Sequence, residues 1–79
     1  MLIRLRNNDG KLIVKDILDI DFNMFVDENK DSTGKRYYTV QVNNKFTYDE
    51  KFDSEEAAEV ALNQIAEQRN ALELELRGF

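Results

Sequence analysis

The chain has 79 residues, a net charge of −5, and neither cysteine nor histidine. Without cysteine it can form no disulfide and no thiolate metal site, and without histidine it lacks imidazole ligands and the usual general base. The length suits one small acidic domain, residues 1–79, whose core is marginal at this size. A partner subunit or idealised packing could supply the missing stability.

No segment approaches the roughly 18 apolar residues of a membrane span. Residues 1–6 alternate arginine with apolar residues and lack the apolar stretch of a secretory signal. We therefore expect a soluble cytoplasmic domain that does not bind membranes.

The alternation of apolar and polar side chains in residues 1–6 predicts a first strand. The segment 7–10, Asn-Asn-Asp-Gly, predicts a turn because these residue types tolerate positive φ angles. A second strand should follow, and pairing Leu12 with Leu5 would place the apolar side chains of both strands on one face.

Apolar side chains continue at even-numbered positions as far as Val26, and Asp16 interrupts them. This pattern fits separate strands at about 11–15 and 18–26, or one long strand that is bent or bulged near Asp16. The polar residues 27–34 predict the next turn.

Residues 35–42 predict a further strand with alternating apolar side chains. A three-residue loop at 43–45 would set Val42 opposite Phe46, which keeps the apolar faces together. The last strand is then expected at about 45–52.

The most strongly patterned element is a C-terminal helix. Asp53 as N-cap and Glu56 at N3 resemble a capping box, and Ser54 is the alternative cap. Strong helix formers continue to Arg77, and Gly78 predicts the end of the helix.

These elements predict an α+β fold, with four or five antiparallel strands and one long C-terminal helix packed on one face. Because one helix covers only one face of a sheet, the other face should be open. The odd-numbered apolar residues expected on that face are either scattered surface residues or a second partner patch. They are Ile13, Ile17, Phe25 and Tyr37.

One side of the helix carries mostly apolar residues at alternating spacings of four and three. A helix of about 24 residues is about 36 Å long, whereas strands of about seven residues span roughly 23 Å. The C-terminal half of the helix should therefore project beyond the sheet. The stripe either packs on its own sheet or forms the seam of a homodimer, in which Arg69 would set the register. The candidate partner-binding residues are Leu62, Ile65, Arg69, Leu72, Leu76 and Phe79.

A calcium loop is a weaker interpretation of residues 27–38. Asp27, Asn29 and Asp31 match the first ligand positions of an EF-hand, but Ser32 replaces the required glycine and Tyr38 the required glutamate. A polar turn explains these residues better, so we predict no metal site and no cofactor.

Basic side chains on two predicted hairpins allow nucleic-acid binding as an alternative function, although the acidic net charge opposes it. They are Arg4, Arg6, Lys11 and Lys15 on one hairpin and Lys35, Arg36 and Lys45 on the other. An acidic inhibitor or decoy protein of a phage-like element is a further alternative.

We predict no catalytic residues. The three glycines are isolated and form no phosphate-binding loop, and the helix start explains Ser54. The favoured function is a small non-enzymatic protein–protein interaction domain that binds another protein or itself, as a homodimer through the C-terminal helix.

Overall fold

A computed structural model describes residues 1–19 and 23–76, and it confirms the predicted fold class. The described sheet has five antiparallel strands in the order β2-β1-β5-β4-β3, so β2 and β3 are its two edges. The elements in chain order are β1 (Leu2–Arg6), β2 (Leu12–Asp16), a 3₁₀ helix (Ile17–Asp19), β3 (Met24–Lys30), β4 (Arg36–Val42), β5 (Phe46–Tyr48) and α1 (Glu55–Leu76).

The predicted pairing of β1 with β2 was wrong by one residue. Leu5 lies opposite Ile13, not opposite Leu12. Because side chains alternate across a strand, this shift turns Leu12 and Val14 away from the core. Leu12 is 40% exposed and Val14 is 51% exposed, whereas Leu5 is fully buried.

The loop between β1 and β2 explains the shifted register. The backbone N–H of Asn7 donates to the carbonyl of Lys11 at 3.0 Å, which leaves three residues in the loop. Gly10 adopts a φ of 79°, a conformation that glycine reaches without strain. A three-residue loop that ends in a glycine bulge is a common hairpin connection, and its odd length reverses the side-chain parity of β2.

The chain leaves the sheet after Asp16, so the predicted strand at 18–26 was wrong at Leu18 and Asp19, and its residues 20–22 lie outside the described residues. The Asp16 carboxylate accepts a hydrogen bond from the backbone N–H of Leu18 at 3.0 Å, which favours a turn over an extended chain. The 3₁₀ helix that follows turns Ile17 into the core, where its side chain is 1% exposed.

The turn between β3 and β4 is shorter than the predicted turn at 27–34, because β3 continues through the first residues of that range. Asp31 organises it: its Oδ1 accepts hydrogen bonds from the Thr33 hydroxyl at 2.6 Å, the Thr33 N–H at 2.9 Å and the Lys35 N–H at 3.0 Å. The Thr33 hydroxyl is the main reason why the pKa of Asp31 lies below its usual value.

The hairpin between β4 and β5 confirms the predicted pairing of Val42 with Phe46. Asn43 and Asn44 adopt φ angles of 56° and 59°, and the Lys45 N–H donates to the Val42 carbonyl at 3.2 Å. Asparagine tolerates this left-handed backbone better than most residues, which is why the local sequence predicts the loop correctly.

The last strand is shorter than the predicted range 45–52. The ladder of β5 ends at Tyr48, where the Glu50 N–H donates back to the Tyr48 carbonyl at 2.8 Å. Pairing resumes at Phe52, which exchanges two backbone hydrogen bonds of 2.8 Å with Tyr38. Residues 49–51 therefore bulge away from β4, while the Asp49 N–H still donates to the Arg4 carbonyl of β1 at 3.1 Å.

The helix α1 begins at Glu55, and its N-cap is Ser54, which was the alternative cap. The Ser54 hydroxyl accepts a hydrogen bond from the N–H of Ala57 at 3.2 Å. The preferred cap, Asp53, lies one residue too early, so Glu56 is not at N3 and no capping box forms. The predicted helix end at 77–78 lies outside the described residues.

The core lies between the sheet and α1, which packs over β3, β4 and the 3₁₀ helix. Its apolar residues are Ile3, Leu5, Ile17, Val40, Val42, Ala58 and Ile65. The odd-numbered apolar residues form no patch on the open face, because Ile17 belongs to this core and Ile13 shares the core face with Leu5. Phe25, on β3, is 44% exposed on the open face.

No helix within residues 1–19 and 23–76 combines the length and the apolar character that crossing a bilayer would require.

Candidate protein-interaction site

The predicted partner-binding residues on α1 divide between the core and the surface. Ile65 is only 6% exposed, and Leu62 and Leu72 are partly buried against the core. Leu76 is 75% exposed, and Phe79 lies outside the described residues. The stripe is therefore core over most of its length and accessible to a partner at its C-terminal end.

Arg69 lies on the same stripe, and its side chain is 11% exposed. Its Nη1 lies 2.8 Å from Oε1 of Glu73, one turn later on the helix. This ion pair balances the arginine charge within the subunit. A role of Arg69 in setting a dimer register stays a prediction.

The end of α1 carries apolar side chains that the sheet leaves uncovered. The 22 residues of α1 span about 33 Å, whereas the longest strands have 7 residues and span about 23 Å. Leu76 lies three turns after Ile65 on the same side of the helix, yet it is the more exposed by far. Leu74, which lies on the opposite side of the helix from Leu76, is 44% exposed.

The open face of the sheet is polar at its centre. Thr39 is 5% exposed, and its hydroxyl oxygen accepts hydrogen bonds from the amide nitrogens of Asn29 at 3.1 Å and Gln41 at 3.4 Å. The Thr47 hydroxyl donates to Oε1 of Gln41 at 3.2 Å. These groups satisfy one another, so the centre of this face does not require a ligand.

Acidic side chains pair with arginines on both faces of the sheet. Nε of Arg6 donates to Oδ1 of Asp49 at 2.8 Å, and Nε of Arg4 lies 4.0 Å from the same carboxylate. Nε of Arg36 lies 3.1 Å from Oε1 of Glu28. A phosphate backbone is best bound by a continuous basic surface, and these paired arginines on β1 and β4 do not form one.

A shallow pocket of about 370 Å³ lies beside α1, between Ile65 and the Ile3 and Tyr48 side of the sheet. Burial raises the pKa of Tyr48 above its usual value, and the carboxylates of Glu50 and Asp49 raise it further. The phenol is therefore a neutral hydrogen-bond donor at physiological pH. The pocket opens to solvent, and its walls mix apolar with polar groups.

The oxygen ligands of the discarded calcium loop do not converge. Asp27 and Asn29 lie in β3, paired with Thr39 and Tyr37 of β4, and Asp31 holds the following turn. Among residues 1–19 and 23–76, no three acidic side chains are gathered as a metal site.

Sequence reasoning missed the outer edge of β2. Hydrogen bonds from the Asn7 N–H to the Lys11 carbonyl and from the Ile17 N–H to the Met1 carbonyl show that odd-numbered residues bond to β1. In an antiparallel ladder the even-numbered residues then direct their N–H and C=O groups outward. The glycine-terminated loop at 8–10 was the signal that could have revealed this edge.

Comparisons with protein families, with curated proteins and with solved structures find no match to this chain.

Proposed function

We propose that this chain is a non-enzymatic protein–protein interaction domain that forms a homodimer through the C-terminal end of α1. The observation that carries the proposal is the 75% exposure of Leu76 on the side of the helix that is core at Ile65. Leaving such a side chain in water forgoes roughly 1.5–3 kcal/mol of burial, which a partner surface would recover.

A second copy fits this surface because the helix ends can pack antiparallel about a twofold axis. Leu72 and Leu76 of one copy would then meet the same residues of the other, as isologous interfaces require. The ion pair of Arg69 with Glu73 balances charge beside these leucines.

The decisive experiment compares two glutamate substitutions on α1. Leu76→Glu should convert the dimer to a monomer, because the interface would bury an unpaired charge. Val60→Glu is the matched control, since Val60 is 56% exposed on the opposite side of the same helix. Mass should be measured by light scattering across a concentration series, with circular dichroism to verify the fold.

A wild-type protein that stays monomeric throughout the series would overturn the homodimer. Equal dissociation by Leu76→Glu and Val60→Glu would also contradict it, because the loss would then reflect added charge and not a specific surface.

The non-enzymatic part of the proposal draws support from the residue types, which include no histidine and no cysteine. It also draws support from the pocket beside Tyr48, which is shallow and open to solvent.

A further inference from the structure

We propose that the outer edge of β2 binds an extended segment of another protein as an added strand, and that acidic and apolar side chains alternate in that segment. This surface is separate from the end of α1, so the inference goes beyond the proposed homodimer and can be tested without it.

The outer edge of β2 offers hydrogen-bonding capacity. Leu12 and Val14 direct their backbone N–H and C=O groups away from β1, Asp16 directs its N–H the same way, and no described residue bonds to those groups. An edge of this kind is a template for β-augmentation, in which main-chain hydrogen bonds supply affinity.

The first half of β2 lacks the usual protection of an edge strand. It reads Leu12-Ile13-Val14, without charge, proline or a bulge. The opposite edge, β3, carries Asp27, Glu28 and Lys30 within the strand, and α1 packs against it. Natural sheets protect edges by charge and by covering elements; β3 shows both devices, whereas β2 carries charge at Lys15 and Asp16 and leaves its first half uncharged.

The two faces of this edge differ in chemistry, since one carries leucine and valine and the other carries lysines. Leu12 and Val14 point to the open face, where they are 40% and 51% exposed. Lys11 and Lys15 alternate with them on the other face, and that face of β2 carries no acid. A complementary strand therefore presents apolar side chains beside Leu12 and Val14 and carboxylates beside the lysines.

The two lysines differ in how accessible their ammonium groups are to a partner carboxylate. Lys11 is exposed, whereas the ammonium of Lys15 rests 4.9 Å from the centre of the Phe46 ring. Lys11 can thus meet a carboxylate of the partner without rearrangement. Lys11 and Lys15 lie together on one face of this edge and Asp16 lies on the other, so the lysine face attracts an acidic segment.

A second copy of the chain is the poorer occupant of the edge. Antiparallel pairing through the same outward groups can centre on Ile13, Val14 or Lys15. Centring on Ile13 sets Lys11 against Lys15 of the second copy, and centring on Lys15 sets Lys15 against itself. The register on Val14 avoids facing lysines but gathers four of them on one face without an acid, which is unfavourable.

The probe is a capped seven-residue peptide in which glutamate alternates with valine. Calorimetry at low salt should detect its binding, and added salt should weaken it. In hydrogen exchange, the amides of Leu12, Val14 and Asp16 should exchange rapidly in the unbound protein and become protected by the peptide. A peptide that alternates lysine with valine, and the glutamate peptide with its central valine replaced by proline, should not bind.

Two variants test the two contributions separately. Val14→Pro removes one outward N–H while leaving the bonds of Ile13 and Lys15 to β1 intact, because proline is tolerated where the N–H faces solvent. Lys11→Glu reverses the exposed charge. Each should weaken peptide binding about tenfold. Lys35→Glu, at another exposed lysine in the distant β3–β4 turn, should leave binding unchanged.

Several results would overturn the inference. They are equal binding of the lysine peptide, loss of binding in Lys35→Glu equal to that in Lys11→Glu, or full binding by a folded Val14→Pro variant. If Val14→Pro does not fold, the proline-containing peptide and the Lys11→Glu variant still test whether the β2 edge binds the peptide as a strand. Self-association of the wild-type protein that Lys11→Glu or a folded Val14→Pro variant abolishes would assign the edge to a second copy.

Discussion

Arg6 on β1 donates a hydrogen bond from Nε to Oδ1 of Asp49 at 2.8 Å, across 43 positions of the chain. Its Nη1 also donates to the carbonyl of Gly10 at 3.1 Å. One guanidinium therefore ties β1 both to the loop that sets the β2 register and to the bulge that follows β5.

Asp49→Asn should destabilise the protein by about 0.5–1 kcal/mol, because the side chains of Arg6 and Asp49 are 45% and 27% exposed and water weakens their attraction. Urea unfolding would measure the loss, which should shrink at high salt. Glu28→Gln is the control, since Glu28 is 50% exposed and its arginine partner 64% exposed. Equal losses in both variants would show that the Asp49 contact has no special role.

A pair of leucine substitutions tests the β1–β2 register. Leu5→Ala should cost about 2–5 kcal/mol of unfolding free energy, because it empties a fully buried site. Leu12→Ala should cost less than about 1 kcal/mol, because Leu12 is 40% exposed. Chemical denaturation gives both values, and Leu5→Val replaces the alanine variant if that variant is unfolded. Similar costs at the two positions would indicate that Leu12 faces the core.

The helix cap gives a second local test. Ser54→Ala should cost about 1 kcal/mol, because the N–H of Ala57 then loses its acceptor. Asp53→Ala should cost less, because Asp53 lies before the cap and only its charge favours the helix dipole. The comparison needs thermal unfolding of both variants. A larger loss at Asp53 would restore the original capping box.

Local residue chemistry predicts part of this fold well. The asparagines at 43 and 44 adopt positive φ angles, and the pairing of Val42 with Phe46 follows from them. The fold class follows from alternating strands and one long amphipathic segment. These features depend on neighbours in sequence, which is why they can be predicted from the sequence alone.

The register of β2, the turn at Asp16 and the strand order are not determined by the local sequence. A β1–β2 loop with either an odd or an even number of residues would bury apolar side chains of β2. The reason is that Leu12, Ile13 and Val14 are all apolar, so both faces of the strand carry apolar residues. Asp16 fits a strand by pattern, yet its carboxylate caps the turn at Leu18. Strand order is set by long-range contacts between β1 and β5, for which the sequence has no local signal. The β2 edge could not be proposed before that order was known.

Tyr48 makes the stability of the folded protein depend on pH in the alkaline range. Burial, aided by Glu50 and Asp49, raises the pKa of Tyr48 in the folded protein above the value of about 10 that it has when unfolded. The unfolded state therefore releases the proton first. The stability that this difference contributes is complete below about pH 10 and is lost as the pH rises through the folded pKa.

Tyr48→Phe should remove this dependence of stability on pH. It should change stability little at pH 7, because the ring is retained and the Tyr48 hydroxyl makes no hydrogen bond to the described residues. Urea midpoints of both proteins should be followed from about pH 8 to about pH 11, a range that brackets the ordinary tyrosine pKa. The wild-type midpoint should fall more steeply than that of the variant. Since lysines titrate in both proteins, the difference between the curves isolates Tyr48, and parallel curves would refute the raised pKa.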